Sequence, residues 1–256
     1  MSTAVHARQP QFPSITDAEQ QARVDLAACY RLTALYGWDD LVFTHISMRV
    51  PDAPDHFLIN PYGLMFEEIT ASGLLKVDHH GCKVSDSPHQ ANPAGFNIHS
   101  TVHEARPDVN CVLHIHTTQG VAVSAQEGGL LPISQQAIFP LASMSYHDYE
   151  GVALTEEERP RLARDLGNAA FMILRNHGLL VCAGSVPDAF LLMYTLQKAC
   201  EVQIQAQAGG KLIQVPQKIV DGARMMAEKN LLNMGGMLAW PGLLRKLDRI
   251  DPSYRD

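Results

Sequence analysis

The sequence predicts a single α/β domain. Helical stretches with clear start and stop signals alternate with short apolar runs bounded by Pro and Gly, and 256 residues suffice to bury one large core. Neither a Gly-x-Gly-x-x-Gly loop, a Walker-type loop nor an internal repeat is present, which argues against the nucleotide-binding folds. Residues 1–15, with Pro10 and Pro13 among polar neighbours, read as an N-terminal arm able to lie on a neighbouring subunit. Residues 16–256 read as the domain, with a C-terminal extension from about 211.

The first helix follows from Thr16 with Glu19, a capping-box pair, and from Ala22, Leu26, Tyr30 and Thr33 at helical spacing up to the stop at Gly37. Leu41 to Val50 and Phe57-Leu-Ile59, punctuated by Pro51, Pro54 and Pro61-Tyr-Gly63, read as antiparallel strands. A further strand is expected around a turn between Leu74 and Val84. The spacing of Phe96, Asn97, Ser100 and His103 predicts a helix between Pro93 and Arg106, stopped by Pro107. Strand 111–116 follows, and the apolar runs 171–174 and 179–182 predict a strand-turn-strand corner. Ser185, Pro187 and Asp188 open a long amphipathic helix that ends at Gly209-Gly210, with its Phe190, Met193 and Leu196 stripe directed to the core.

Lys and Arg number 20 against 27 Asp and Glu, a formal net charge of −7, and no basic run occurs, so nucleic acid is not expected as a partner. Charged residues at 18% fall below the roughly 25% of average soluble domains, which points to some surface being buried between subunits. The five cysteines are scattered without a Cys-x-x-Cys pair, and residues 1–10 lack an apolar signal core, so a reducing cytoplasm is expected. The apolar stretches near 171–182 and 234–244 are interrupted by Arg, His, Gly or Pro, and no membrane span is expected.

The chemistry is carried by histidines. His114 and His116 lie at i and i+2 of a predicted strand, so both imidazoles project from one face while Leu113 and Ile115 pack the other way. His177 sits at the Asn176-His-Gly178 corner between two apolar runs. Three neutral histidines around a divalent ion leave a coordination position free, the open arrangement of catalytic sites. A His-x-His pair on a strand can equally be two core histidines with hydrogen-bond partners, and the third histidine favours the metal reading. His99 and His103, spaced i,i+4, share a helical face, but Ser100 stands where a zinc-protease motif needs glutamate, so His99 is read as a supporting or core residue. His79-His80 before Gly81 reads as a solvated turn.

Thr44-His-Ile-Ser-Met-Arg49, Ile59-Asn-Pro-Tyr-Gly-Leu64, Asn92-Pro-Ala-Gly-Phe-Asn-Ile-His99, His114-Ile-His116 and Asn176-His-Gly178, in that order, make the chain resemble the class II aldolase/adducin family over about residues 20–210. The resemblance implies a three-layer α/β/α domain around a mainly antiparallel central sheet, assembly as a homotetramer with metal sites near subunit interfaces, and His114, His116 and His177 as ligands. In the family's sugar-phosphate aldolases the metal acts as a Lewis acid on a carbonyl or enediolate oxygen. The chain departs from those enzymes twice. Where they carry Ser-Ser-Glu, providing phosphate contacts and the acid/base carboxylate, Pro93-Ala94-Gly95 stands here; where they carry Gly-Asn-x-Ser, Thr44-His45-Ile46-Ser47 stands here.

A metal-dependent lyase for a non-phosphorylated oxo- or hydroxy-carboxylate is therefore expected, working by aldol cleavage or decarboxylation, with one divalent ion per subunit, zinc first and Mn or Fe next. His45 and Tyr62 are the candidate catalytic groups, Ser47, Arg49 and Gly63 the candidate substrate contacts, and Tyr146 and His147 a reserve pair within the titratable stretch Ser145–Gly151. A non-haem iron oxygenase and a non-catalytic adducin-like interaction module are the alternatives.

Overall fold

The computed structural model describes residues 15–151, 157–230 and 235–256. Most of the expected N-terminal arm therefore lies outside the described residues. Helix α1 (Asp17–Leu35) starts where the Thr16 hydroxyl accepts the Glu19 N–H at 3.1 Å, and Gly37 follows its end with φ +68°. Glu19 does not close the capping box. Its carboxylate is buried and accepts from Arg23 Nε at 2.9 Å and Lys76 Nζ at 2.7 Å, clamping the helix start to the sheet edge.

Strands β1 (His45–Val50), β2 (Ala53–Ile59) and β3 (Leu75–Asp78) form an antiparallel meander. Helix α2 (Pro93–Ala105) leads into β4 (Cys111–Ile115), followed by the short helices α3 (Thr118–Ser124) and α4 (Gln135–Leu141). Strand β5 (Met144–His147), helix α5 (Arg159–Leu166) and strands β6 (Phe171–Leu174) and β7 (Gly178–Ala183) complete the sheet. Helix α6 (Val186–Ala208), capped by Ser185, is followed by α7 (Gln217–Asn230) and α8 (Gly236–Ile250). The seven strands run in the order β3-β2-β1-β4-β7-β6-β5, antiparallel at every pairing except β5 with β6.

Side-chain alternation along β4 divides the core. Cys111, Leu113 and Ile115 point into the larger cluster beneath α1, α6 and α8, whereas Val112 packs on the opposite face with Ile98 and Val102 of α2 and Leu162 and Leu166 of α5. The result is a helix-sheet-helix sandwich around a mixed, mainly antiparallel sheet. β1 and β4 pair in register, with His45 opposite His114 and Ser47 opposite Val112, so the polar residues of β1 and the first histidine of β4 share the face covered by α2. Tyr30 of α1 pins the other face: its hydroxyl accepts the backbone N–H groups of Ile46 at 2.8 Å and Asn60 at 3.1 Å.

Sequence periodicity missed α3, α4 and α5, each eight residues or fewer and too short for a clear helical repeat. The titratable stretch Ser145–Gly151, with its reserve pair Tyr146 and His147, supplies most of the parallel edge strand β5.

Candidate metal centre

The sheet and one tight corner bring the three histidines together. His114 is fully buried near the end of β4, His116 lies just past it, and the β6–β7 corner returns His177 to the same end. Asn176 turns that corner in the left-handed region, at φ +56°. Gly178 lets it approach closely, since a Cβ there would lie 2.5 Å from the Ile115 carbonyl oxygen and 3.0 Å from the His116 ring. His114 Nε2 is 2.8 Å from His116 Nε2 and 3.3 Å from His177 Nε2, and one ring nitrogen from each of the three falls within 4.8 Å of the others.

Hydrogen bonds on the far side of two rings show what this cluster suits. His114 Nδ1 lies 2.9 Å from the Leu179 carbonyl oxygen, and His116 Nδ1 lies 3.0 Å from Asp40 Oδ2. Both oxygens only accept, so each neutral ring carries its proton on Nδ1. The two Nε2 atoms then face each other at 2.8 Å with a lone pair on each and no proton between them. That arrangement is repulsive unless a cation sits between the nitrogens, and imidazoles held by a carbonyl and a carboxylate are the donor set that divalent ions take. Burial, then the neighbouring imidazoles, holds His114 well below the ordinary histidine range, and burial pushes His177 down to about 4. Both rings are therefore neutral at physiological pH.

The cluster opens onto a cavity of about 570 Å³ whose wall includes His45 and Asp40, with Tyr62 and Tyr149 exposed at its rim. None of the described residues lining it is Lys or Arg. His45 is seated by the absence of a side chain at position 95: a Cβ on Gly95 would lie 2.3 Å from its Nε2. Burial, then neighbouring histidines, drives His45 well below the usual range.

Several expected contacts lie elsewhere. Ser47 is buried behind His45, bonded to His99 and His103, and does not line the cavity. Arg49 is farther along β1, where its guanidinium donates to the carbonyls of Pro54 at 2.6 Å and His103 at 2.7 Å and stacks over Phe57, leaving no fork for a substrate carboxylate. Gly63 is not part of the cavity wall; its φ of +95° turns the loop behind Tyr62. Tyr146 is engaged in structure, its hydroxyl accepting the Leu130 N–H at 3.1 Å under the Arg175 guanidinium. His147 is held between Asp165 at 2.8 Å and Glu158 at 3.3 Å. Asp40, Phe43 and Tyr149 were not anticipated: Asp40 lies outside any periodic segment, Phe43 fell within the expected strand 41–50 although β1 begins only at His45, and Tyr149 was one of several polar groups in the stretch Ser145–Gly151.

A helix-sheet-helix domain with a histidine trio opening onto a cavity defines a fold of the aldolase type. The sequence profile of the class II aldolase and adducin N-terminal domain matches residues 24–204. The chain belongs to the class II aldolase/adducin family. A Pseudomonas aeruginosa protein whose name places it provisionally among the class 2 aldolases is 60% identical over 99% of each chain. Mouse alpha-adducin is 46% identical over 75% of this chain, which spans 27% of the adducin. Among solved structures, L-fuculose 1-phosphate aldolase from Glaciozyma antarctica superposes with a TM-score of 0.84, at 27% identity and 97% coverage of both chains.

Proposed function

We propose that this chain is a metal-dependent carbon–carbon lyase acting on a non-phosphorylated oxo- or hydroxy-carboxylate, by aldol cleavage or decarboxylation. The observation that carries the reading is the convergence of three histidine Nε2 atoms on a cavity of about 570 Å³ whose described lining contains no Lys or Arg. His114, His116 and His177 would hold one divalent ion per chain, zinc being favoured and Mn or Fe also suited to imidazole. When bound, that ion supplies Lewis acidity, polarising a substrate oxygen.

The protein's own groups do the remaining work. Asp40 and the Leu179 carbonyl fix the orientation of His116 and His114. His45, on the wall, and Tyr62, at the rim, are placed to exchange protons with substrate oxygens or carbons. The described wall lacks Arg and Lys, and Pro93-Ala94-Gly95 stands where the family's aldolases carry the serines that contact phosphate, which supports a substrate with less charge to neutralise. The chain also reads as a cytoplasmic homotetramer. Its five free cysteines suit a reducing compartment, and no helix among the described residues is long and apolar enough to cross a membrane.

The likeness to alpha-adducin favours a second reading, an interaction module without chemistry. The complete ligand trio weighs against it. One experiment separates these readings: protein purified without chelator is assayed against oxo- and hydroxy-acids and against L-fuculose 1-phosphate, following released aldehyde, carbon dioxide and oxygen uptake. Cleavage of an acid that stops on chelation and returns with added metal is the expected result. Efficient cleavage of the sugar phosphate contradicts the substrate class, oxygen uptake identifies an iron oxygenase, and no turnover with full metal content favours the module.

A further inference from the structure

A buried chain of side chains that the histidine trio does not use runs up to the cavity wall. β1 projects His45 and Ser47 from one face, and α2 lays His99 and His103, one helical turn apart, across that face. His45 Nδ1 is 2.7 Å from His99 Nε2, His99 Nδ1 is 2.6 Å from Ser47 Oγ, and Ser47 Oγ is 2.8 Å from His103 Nε2. The chain ends on the Val109 carbonyl oxygen, 3.4 Å from His103 Nδ1. All four residues are at most 4% exposed, and such burial disfavours charge on the three rings.

Each inner contact needs one proton between its two heavy atoms, and each neutral imidazole or hydroxyl has one to give. Three orderings satisfy all three contacts, because the Ser47 oxygen can accept from both rings while its own proton points elsewhere. In two of them His103 carries its proton on Nε2, turns an unprotonated Nδ1 toward the Val109 carbonyl and sets lone pair against lone pair. In the third, His103 Nδ1–H donates to that carbonyl. That ordering is selected, and it propagates. Ser47 donates to His103 Nε2 and accepts from His99 Nδ1–H, and His99 Nε2 accepts from His45 Nδ1–H. His45 Nε2 is left without a proton, and it makes no hydrogen bond among the described residues.

We propose that Ser47, His99 and His103 form a proton-ordering relay that fixes His45 in its Nδ1–H form and holds its Nε2 open as a proton acceptor on the cavity wall. Resting on the lyase reading, the relay favours aldol cleavage, because decarboxylation has no hydroxyl proton to remove. The substrate hydroxyl proton passes to His45 Nε2, the electron pair of the broken O–H bond forms the new carbonyl, and the adjacent C–C bond breaks. The electron pair left on the released carbon then takes the proton back from His45. Ser47, His99 and His103 are positioning residues; of the four, only His45 would touch substrate.

Two-bond ¹H–¹⁵N correlation spectra of zinc-loaded, ¹⁵N-histidine-labelled protein report the tautomer of each ring, with His45 identified by the signals lost in His45→Gln. The relay predicts the Nδ1–H form of His45 in the wild type, and an Nε2–H form overturns it. In Ser47→Ala the chain is cut, and His45 is expected to become a mixture of tautomers. A single Nδ1–H form persisting in folded, zinc-bound Ser47→Ala overturns the relay. His103→Phe, which keeps the stack on Phe57 (ring centroids 4.5 Å apart), gives the same reading if Ser47→Ala does not fold. These spectra require no substrate, so a protein with the expected tautomers and no lyase activity loses the functional reading alone, and an active enzyme with Nε2–H His45 loses the relay alone.

Discussion

At Gly95 the missing side chain leaves room for an imidazole. A Cβ there would fall 2.1 Å from His45 Cδ2, a contact that neither group can absorb without moving. Gly95→Ala is expected to destabilise the protein by about 1–3 kcal/mol, the usual cost of overpacking, read as a lower urea midpoint with zinc binding retained. An unchanged midpoint would mean that the ring is not wedged there. Asp40 makes its contribution through another side chain, holding the Nδ1–H of His116 at 3.0 Å. Asp40→Ala is expected to weaken zinc binding about 10- to 100-fold, the typical effect of removing such a carboxylate, in competition with a chromophoric chelator. Affinity equal to the wild type would show that the pair does not orient the ligand.

Helix α2 carries its buried imidazoles against β1, and that packing makes stability depend on pH. Burial, then the Arg49 guanidinium, pushes His103 down to about 3. Its proton affinity is lower in the folded than in the unfolded protein, where the ordinary value is about 6.5. Its stabilising share is therefore intact above pH 6.5 and is lost as pH falls from there toward 3. Between pH 7 and pH 5 this one group costs about 2 kcal/mol of folding stability. His103→Gln should flatten the urea-unfolding stability between those pH values by about that amount, and an equal slope in both proteins would contradict it. Much of this arrangement could be seen in the chain of letters: the i,i+2 spacing of His45 and Ser47 and of His114 and His116, the i,i+4 spacing of His99 and His103, and the corner at His177. What periodicity could not supply was pairing. Only the register of His45 opposite His114, and the placement of α2 over β1, show that Ser47 bonds histidines and that Arg49 turns to carbonyls rather than to a substrate. Asp40 lay in a turn whose position depends on tertiary contacts, so no local pattern marked it.

Across the whole molecule, α8 is tied into the same core as the helices before it. Trp240 of α8 is 3% exposed, packs on Phe190 with ring centroids 6.1 Å apart, and donates its indole N–H to Asp25 of α1 at 2.8 Å. The Asp188 carboxylate of α6 accepts the Gly236 N–H at 2.9 Å, fixing the start of α8. Trp240→Ala is expected to cost about 3–5 kcal/mol, as for other buried aromatic truncations, in a single cooperative unfolding transition. A separate early transition would show that α8 melts on its own. At the meeting of β4 and the β6–β7 corner, His114 and His116 at the end of one strand face His177 from 61 positions beyond His116, with the Nε2 lone pairs of the first two turned inward. Elemental analysis of the wild type and of His177→Ala, both purified without chelators, tests the metal reading of this convergence most directly. About one divalent ion per wild-type chain is expected, with loss of most of it in a variant that remains folded, as for an open site. Equal metal content in the two proteins, or none in either after incubation with zinc, would contradict it.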